Sequence, residues 1–318
     1  MFTSNFATGV IAPAAEGQPG LISVPMHFFM NLFLWQPALS NAGIAAVQIG
    51  LGLLILWKPT AKVGLMLSVA WGLFVWIVGE GLSGLASGHA ILLMGSPGAA
   101  LIYVLLALGI LPKTQKANDQ RPAYWLMIAW AAIWTVGSIY QVLPGQNTVA
   151  DVSSMISTNA EAAPHWLAGV DNGVADYINH FGTATTPPAS SMQGMPGMSM
   201  NQPTAIAVSS STHQASGFWV LLLLALLQLI VAFAVFIPGF MRWLAVIIGS
   251  VLSIGFWVVG QSLGSYFTGL ATDPNTGPLL VLLGIAILGC TQRDAKVRSY
   301  FGRLKHGFLV EIRALNEA

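Results

Sequence analysis

The chain is expected to fold as an all-α membrane protein of seven transmembrane helices, built as two parallel three-helix repeats plus one linking helix, with a long extracytoplasmic insert. Three observations lead there. Hydrophobic residues make up 55% of the 318 residues and charged ones only 7%, a composition of polytopic membrane proteins. A motif occurs twice: Trp76-Ile77-Val78-Gly79-Glu80-Gly81-Leu82 is matched by Trp257-Val258-Val259-Gly260-Gln261-Ser262-Leu263. An internal repeat fixes architecture ahead of local patterns. Lysine and arginine, finally, occur only in connections of one parity and in the C-terminal tail.

Residues 1–38 are an extracytoplasmic part, a loose small and polar arm followed by a short aromatic helix over 24–35 that suits the headgroup zone. The first repeat covers 39–112, with spans at about 39–57, 63–85 and 98–111. A linking span at about 122–143 occupies the segment 113–144. The second repeat covers 217–291, with spans at about 217–237, 243–264 and 277–291. The motifs align without a gap from Trp76/Trp257 to Ala90/Ala271, and a two-residue offset brings Gly98 level with Gly277. Four spans separate equivalent positions, so the repeats share one orientation.

Lys58, Lys62, Lys113, Lys116, Arg121 and Arg242 lie between spans on one side, and Arg293 to Arg313 lie in the tail. The positive-inside rule puts the N-terminus outside and the tail in the cytoplasm of a bacterial inner membrane. Residues 292–318 have apolar positions near helical spacing and suit the inner leaflet. With that charge distribution, the lipid bilayer is the expected partner and nucleic acid is not. The single cysteine, Cys290, excludes an intrachain disulfide.

The insert, 145–216, has no lysine or arginine. Asn147–Ile156 and His165–His180 have amphipathic helical patterns, the second with Trp166, Leu167, Val170, Val174, Tyr177 and Ile178 on one side. A low-complexity stretch follows. It contains Met192, Met195, Met198 and Met200. Thioethers are soft ligands for Cu(I) and need no deprotonation. His180 and His213 flank the run, and imidazole also accepts copper. The same pattern fits a drifting low-complexity segment or an apolar docking tip.

Glu80 is the only acidic residue inside an expected span, placed in the outer third of its helix; proton, ion or substrate chemistry and a helix-locking hydrogen bond are the two readings. Its repeat mate is Gln261. Gln48 and Gln228, also mates, either line a polar path or hydrogen-bond across helix interfaces, the commoner case. Gly79 with Ser83, and Gly260 with Gly264, are spaced for close helix packing. The outer connectors hold Ser87 and His89 in the first half and Thr268, Asp273 and Asn275 in the second. Gly and Pro beside a short apolar run at equivalent places point to a vestibule between repeats, while Asp273 and Asn275 also suit simple turn formation. No catalytic triad, phosphate loop or metalloprotease pair is present.

The stretch Ala45-Ala46-Val47-Gln48-Ile49-Gly50-Leu51-Gly52-Leu53-Leu54, followed by the basic turn Lys58 to Lys62, resembles the DoxX/DoxD-like family of small four-helix bacterial membrane proteins. That family often carries a carboxylate where Gln48 and Gln228 stand. The resemblance implies a membrane subunit of a quinone-linked, thiosulfate-type redox complex. The residues themselves point first to handling of a soft metal ion, copper as Cu(I), at the outer face, with an extracytoplasmic metal carrier or redox protein as partner. A non-enzymatic assembly or scaffold role is the third expectation.

Overall fold

The computed structural model describes residues 4–111, 122–143, 149–161, 163–182, 206–267 and 271–291, with side chains described except at 122–123, 180–182 and 206–218. All regular structure among these residues is helical. The principal helices are α1 (Gly20–Trp35), α2 (Pro37–Leu56), α3 (Ala61–Phe74, extended by a wide turn Val75–Gly79), α4 (Ala99–Ile110) and α5 (Pro122–Val142). They are followed by α6 (Val149–Glu161), α7 (His165–Gly182), α8 (Ile206–Ala234), α9 (Phe240–Val259) and α10 (Thr276–Thr291).

Four stretches, Pro37–Leu56, Ala61–Gly79, Tyr124–Val142 and Phe240–Val259, are long and apolar enough to cross a membrane. Among the described residues the apolar stretches Gly20–Trp35, Ala99–Ile110, Trp219–Ala234 and Thr276–Thr291 are shorter. At about 1.5 Å per residue, α4 falls well short of a hydrocarbon core about 30 Å thick. It starts late because the connector before it turns inward: Ala90, Ile91, Leu92 and Leu93 are all buried.

The core centres on α5. Trp130 and Trp134 are fully buried, and the Trp130 indole donates to the Val231 carbonyl at 3.2 Å. A Cβ at Gly249 of α9 would collide with the Trp130 ring, and one at Gly284 of α10 would come within 3.4 Å of it. Those glycines let three helices close around one indole. By contrast α2 has no buried residue; it packs along α3 and α1 at the periphery.

The N-terminal arm departs from expectation. Instead of a loose segment, Ala7–Ile11 and Ala12–Ala15 are helical, and Ala7, Ile11 and Ala15 pack against Met26 and Phe33. Their four-residue spacing makes one helical stripe, and the small side chains permit close approach.

The insert begins as a helical hairpin. α6 continues five residues past the expected end at Ile156. Val152, Ile156, Leu167 and Ala175 are buried, and the Asn179 amide donates to Ser153 Oγ at 2.6 Å. The expected apolar side of α7 divides: Leu167, Val174 and Ile178 face the core, whereas Trp166, Val170 and Tyr177 are exposed. Asp171 lies on the inward side, fully buried, with both carboxylate oxygens unpartnered. Burial pushes its carboxyl up to about 6, because desolvation disfavours the charged form. A raised acid pKa means the folded state holds the proton more tightly, so stability is greatest below the ordinary carboxylate range and declines until pH passes about 6. Asp171→Asn is therefore expected to raise the melting temperature at pH 7.5 and to remove that decline; a melting curve with the same pH dependence as wild type would contradict this.

Candidate functional site: paired left-handed turns and the pocket beside the second

α3 and α9 end in the same way. The N–H of Glu80 donates to Val75 O at 2.9 Å, and that of Gln261 to Phe256 O at 3.0 Å. Four consecutive residues then take positive φ in each half: Gly81, Leu82, Ser83 and Gly84 at 53°, 54°, 50° and 80°, and Ser262, Leu263, Gly264 and Ser265 at 42°, 54°, 70° and 57°. Left-handed backbone costs about 1–2 kcal/mol per non-glycine residue, so these turns need compensating contacts.

The contacts are matched. Ser83 N–H donates to Glu80 O, and Gly264 N–H to Gln261 O, both at 2.7 Å. Trp76 Nε1 donates to Pro97 O at 2.6 Å and Trp257 Nε1 to Pro274 O at 2.8 Å. Glu80 Oε1 accepts the Ala100 N–H at 3.0 Å, and Gln261 Oε1 accepts that of Gly277 at 3.1 Å. Each acidic or amide side chain thus satisfies an orphan donor at the start of the next helix. Hydropathy places Glu80 within a helix; in the structure it instead follows the last turn of α3. Ser83 and Gly264 likewise leave their helices, so the expected small-residue packing pairs are not on one helical face.

The register after the turns differs from the sequence alignment. Trp76 and Pro97 are 21 residues apart, Trp257 and Pro274 are 17 apart. The offset is therefore four residues rather than two. Gly98 (φ 105°) corresponds to Asn275 (φ 68°), and Ala100, not Gly98, to Gly277.

The two halves meet at their connectors. Thr276 Oγ1 donates to Gly95 O, and Gln261 Nε2 approaches Leu93 O at 3.5 Å. A Cβ at Gly260 would collide with Leu93 O. α6 covers this junction: Asn159 Nδ2 donates to Gly260 O at 2.6 Å and lies 3.7 Å from Met94 Sδ. Between these elements is a pocket of about 380 Å³ lined by Met94, Ser154, Met155, Thr158, Asn159, Gly260, Gln261, Ser265 and Asn275. Its lining combines two thioethers with neutral amides and hydroxyls, and includes no charged residue. The first-half turn is covered differently, by Gln18, whose Nε2 donates to Gly81 O at 2.8 Å.

Of the residues singled out in the sequence, Gln261 and Asn275 line this pocket. Asp273 serves the turn, its carboxylate accepting from Asn275 N at 2.6 Å and Thr272 Oγ1 at 3.0 Å. Ser87 Oγ donates to Gly84 O at 3.2 Å, and His89 is exposed. Gln48 and Gln228 do not share a path. Gln228 is fully buried and donates to Gln141 Oε1 at 3.1 Å, whereas Gln48 is exposed on α2. Thr268, the Met192–Met200 run and the side chains of His180 and His213 lie outside the described residues. Among the described residues no cluster of three or more His, Cys, Asp and Glu converges as a metal site. Met94, Met155 and Asn159 went unnoticed in the sequence. Met155 and Asn159 are one helical turn apart on α6, which places them on a common face.

Comparison with known families, curated proteins and solved structures finds no match.

Proposed function

We propose that this chain is a duplicated seven-span inner-membrane protein that handles a soft monovalent metal, Cu(I), at its outer face, with the pocket at the repeat junction as receiving site. The observation that carries the reading is that Met94 and Met155 both line one pocket whose other lining residues are neutral. Hard divalent ions take carboxylate oxygens, whereas thioethers suit Cu(I). The Met192–Met200 run is the capture arm for metal delivered by an extracytoplasmic carrier.

The matched turns, indole bonds and caps support the repeat, and three of the four shorter apolar helices, those that include Ala99–Ile110, Trp219–Ala234 and Thr276–Thr291, supply the remaining spans. The one-sided distribution of lysine and arginine supports an outside N-terminus and cytoplasmic tail.

The test is Cu(I) competition against a chromogenic chelator on the purified full chain in detergent. Met94→Leu with Met155→Leu keeps apolar volume and removes both sulfurs; it is expected to weaken the tightest binding by at least roughly tenfold. Replacing Met192, Met195, Met198 and Met200 by Leu should lower stoichiometry and leave that tight site. Thioether binding should also persist at mildly acid pH, because methionine has no proton to compete with the metal. Wild-type affinity in the Met94/Met155 variant would overturn the reading.

A further inference from the structure

We infer that α2 is a self-association helix, pairing with α2 of a second copy through an amide–amide contact at Gln48. The inference uses the membrane-spanning assignment of α2 but not the metal reading.

α2 is 20 residues long, apolar enough to cross a membrane, and none of its spanning window is buried. Yet Gln48 stands near its middle and is exposed. Lipid tails offer a carboxamide neither donor nor acceptor, so an unpaired one at that depth is costly. The second half shows how this chain treats the repeat mate: Gln228 is fully buried and paired with Gln141 of α5, amide to amide. α5 packs most extensively on α8, which, among the described residues, leaves the first half without an equivalent partner helix.

Sequence spacing identifies the seam. Asn41, Ala45, Gln48 and Gly52 recur at intervals of four, three and four residues, the heptad pattern of a left-handed helix pair. Polar residues alternate with small ones along it. A Cβ at Gly52 would meet nothing within 4 Å, so a neighbouring backbone can approach. A second copy is the occupant that fits best. Copies inserted in the same orientation lie parallel, and a two-fold axis along the membrane normal sets each seam position against itself. A carboxamide both donates and accepts, so Gln48 complements its own image. A single polar residue in such a seam also specifies register.

The test is oxidative cross-linking in native membranes, with Cys290→Ser as background. Gln48→Cys, Ala45→Cys and Gly52→Cys are expected to give a band at twice the chain mass, whereas Ile49→Cys and Leu53→Cys, more exposed than Ala45 and Gly52 but off the seam, are not. In addition, Gln48→Leu in detergent should weaken dimerisation by roughly tenfold, judged by mass measurement across a dilution series. Equal cross-linking on and off the seam, a purely monomeric wild type, or seam cross-links to a chain of different mass would each overturn the second copy as occupant.

Discussion

Gly98→Ala is expected to be among the most damaging single substitutions in the chain. Gly98 has φ 105°, and a Cβ there would run into the Glu80 carboxylate and the Ser83 hydroxyl. Alanine would have to accept left-handed backbone while pushing away the group that caps α4. The strain and the uncovered donor together amount to roughly 2–5 kcal/mol. Thermal unfolding in detergent should show it as a large fall in melting temperature or as failure to fold. Gly289→Ala is the control: a Cβ there meets nothing within 4 Å, and in a helix alanine is favoured over glycine. Equal melting of the two variants would contradict the described geometry.

Glu80 is the second large effect, and its sign depends on the replacement. Glu80→Leu removes the acceptor of the Ala100 N–H and is expected to cost about 1–3 kcal/mol. Glu80→Gln keeps that oxygen and copies Gln261, so its melting should stay within about 1 kcal/mol of wild type. The reverse exchange is not symmetric. Gln261 Nε2 faces Leu93 O, and Gln261→Glu would set a carboxylate oxygen against a carbonyl. It should therefore destabilise more than Glu80→Gln. Equal losses for Glu80→Gln and Glu80→Leu would mean that charge, rather than capping, holds this turn.

These effects show what was legible before the structure. The recurring Trp-x-x-Gly-[Glu/Gln]-x-Leu string identified the paired segments. Hydropathy carried the helices too far, to 85 and 264, because Leu82 and Leu263 partition into lipid equally well from a right-handed helix or a left-handed turn. Partitioning carries no information about the sign of φ. Matching Gly98 to Gly277 by identity misplaced the register, since asparagine also tolerates positive φ and Asn275 is the residue in that role. Gln48 and Gln228 look alike in sequence, yet only one has a fourth helix beside it. The pocket thioethers were hidden because Met94 lies in a connector and Met155 on α6, far apart in the chain, and only packing of α6 over the junction brings both to one pocket. The N-terminal helix was concealed by the Gly and Pro around its Ala-Ile-Ala stripe.

The central claim is that Met94 and Met155 receive a soft metal between the halves. X-ray absorption at the copper edge, on the full chain loaded with one equivalent of Cu(I) after Met192, Met195, Met198 and Met200 are changed to leucine, addresses it most directly. The account predicts sulfur scatterers around copper that disappear when Met94→Leu and Met155→Leu are added. Sulfur scattering that persists in that combined variant, or copper surrounded only by nitrogen and oxygen before it, would contradict the claim.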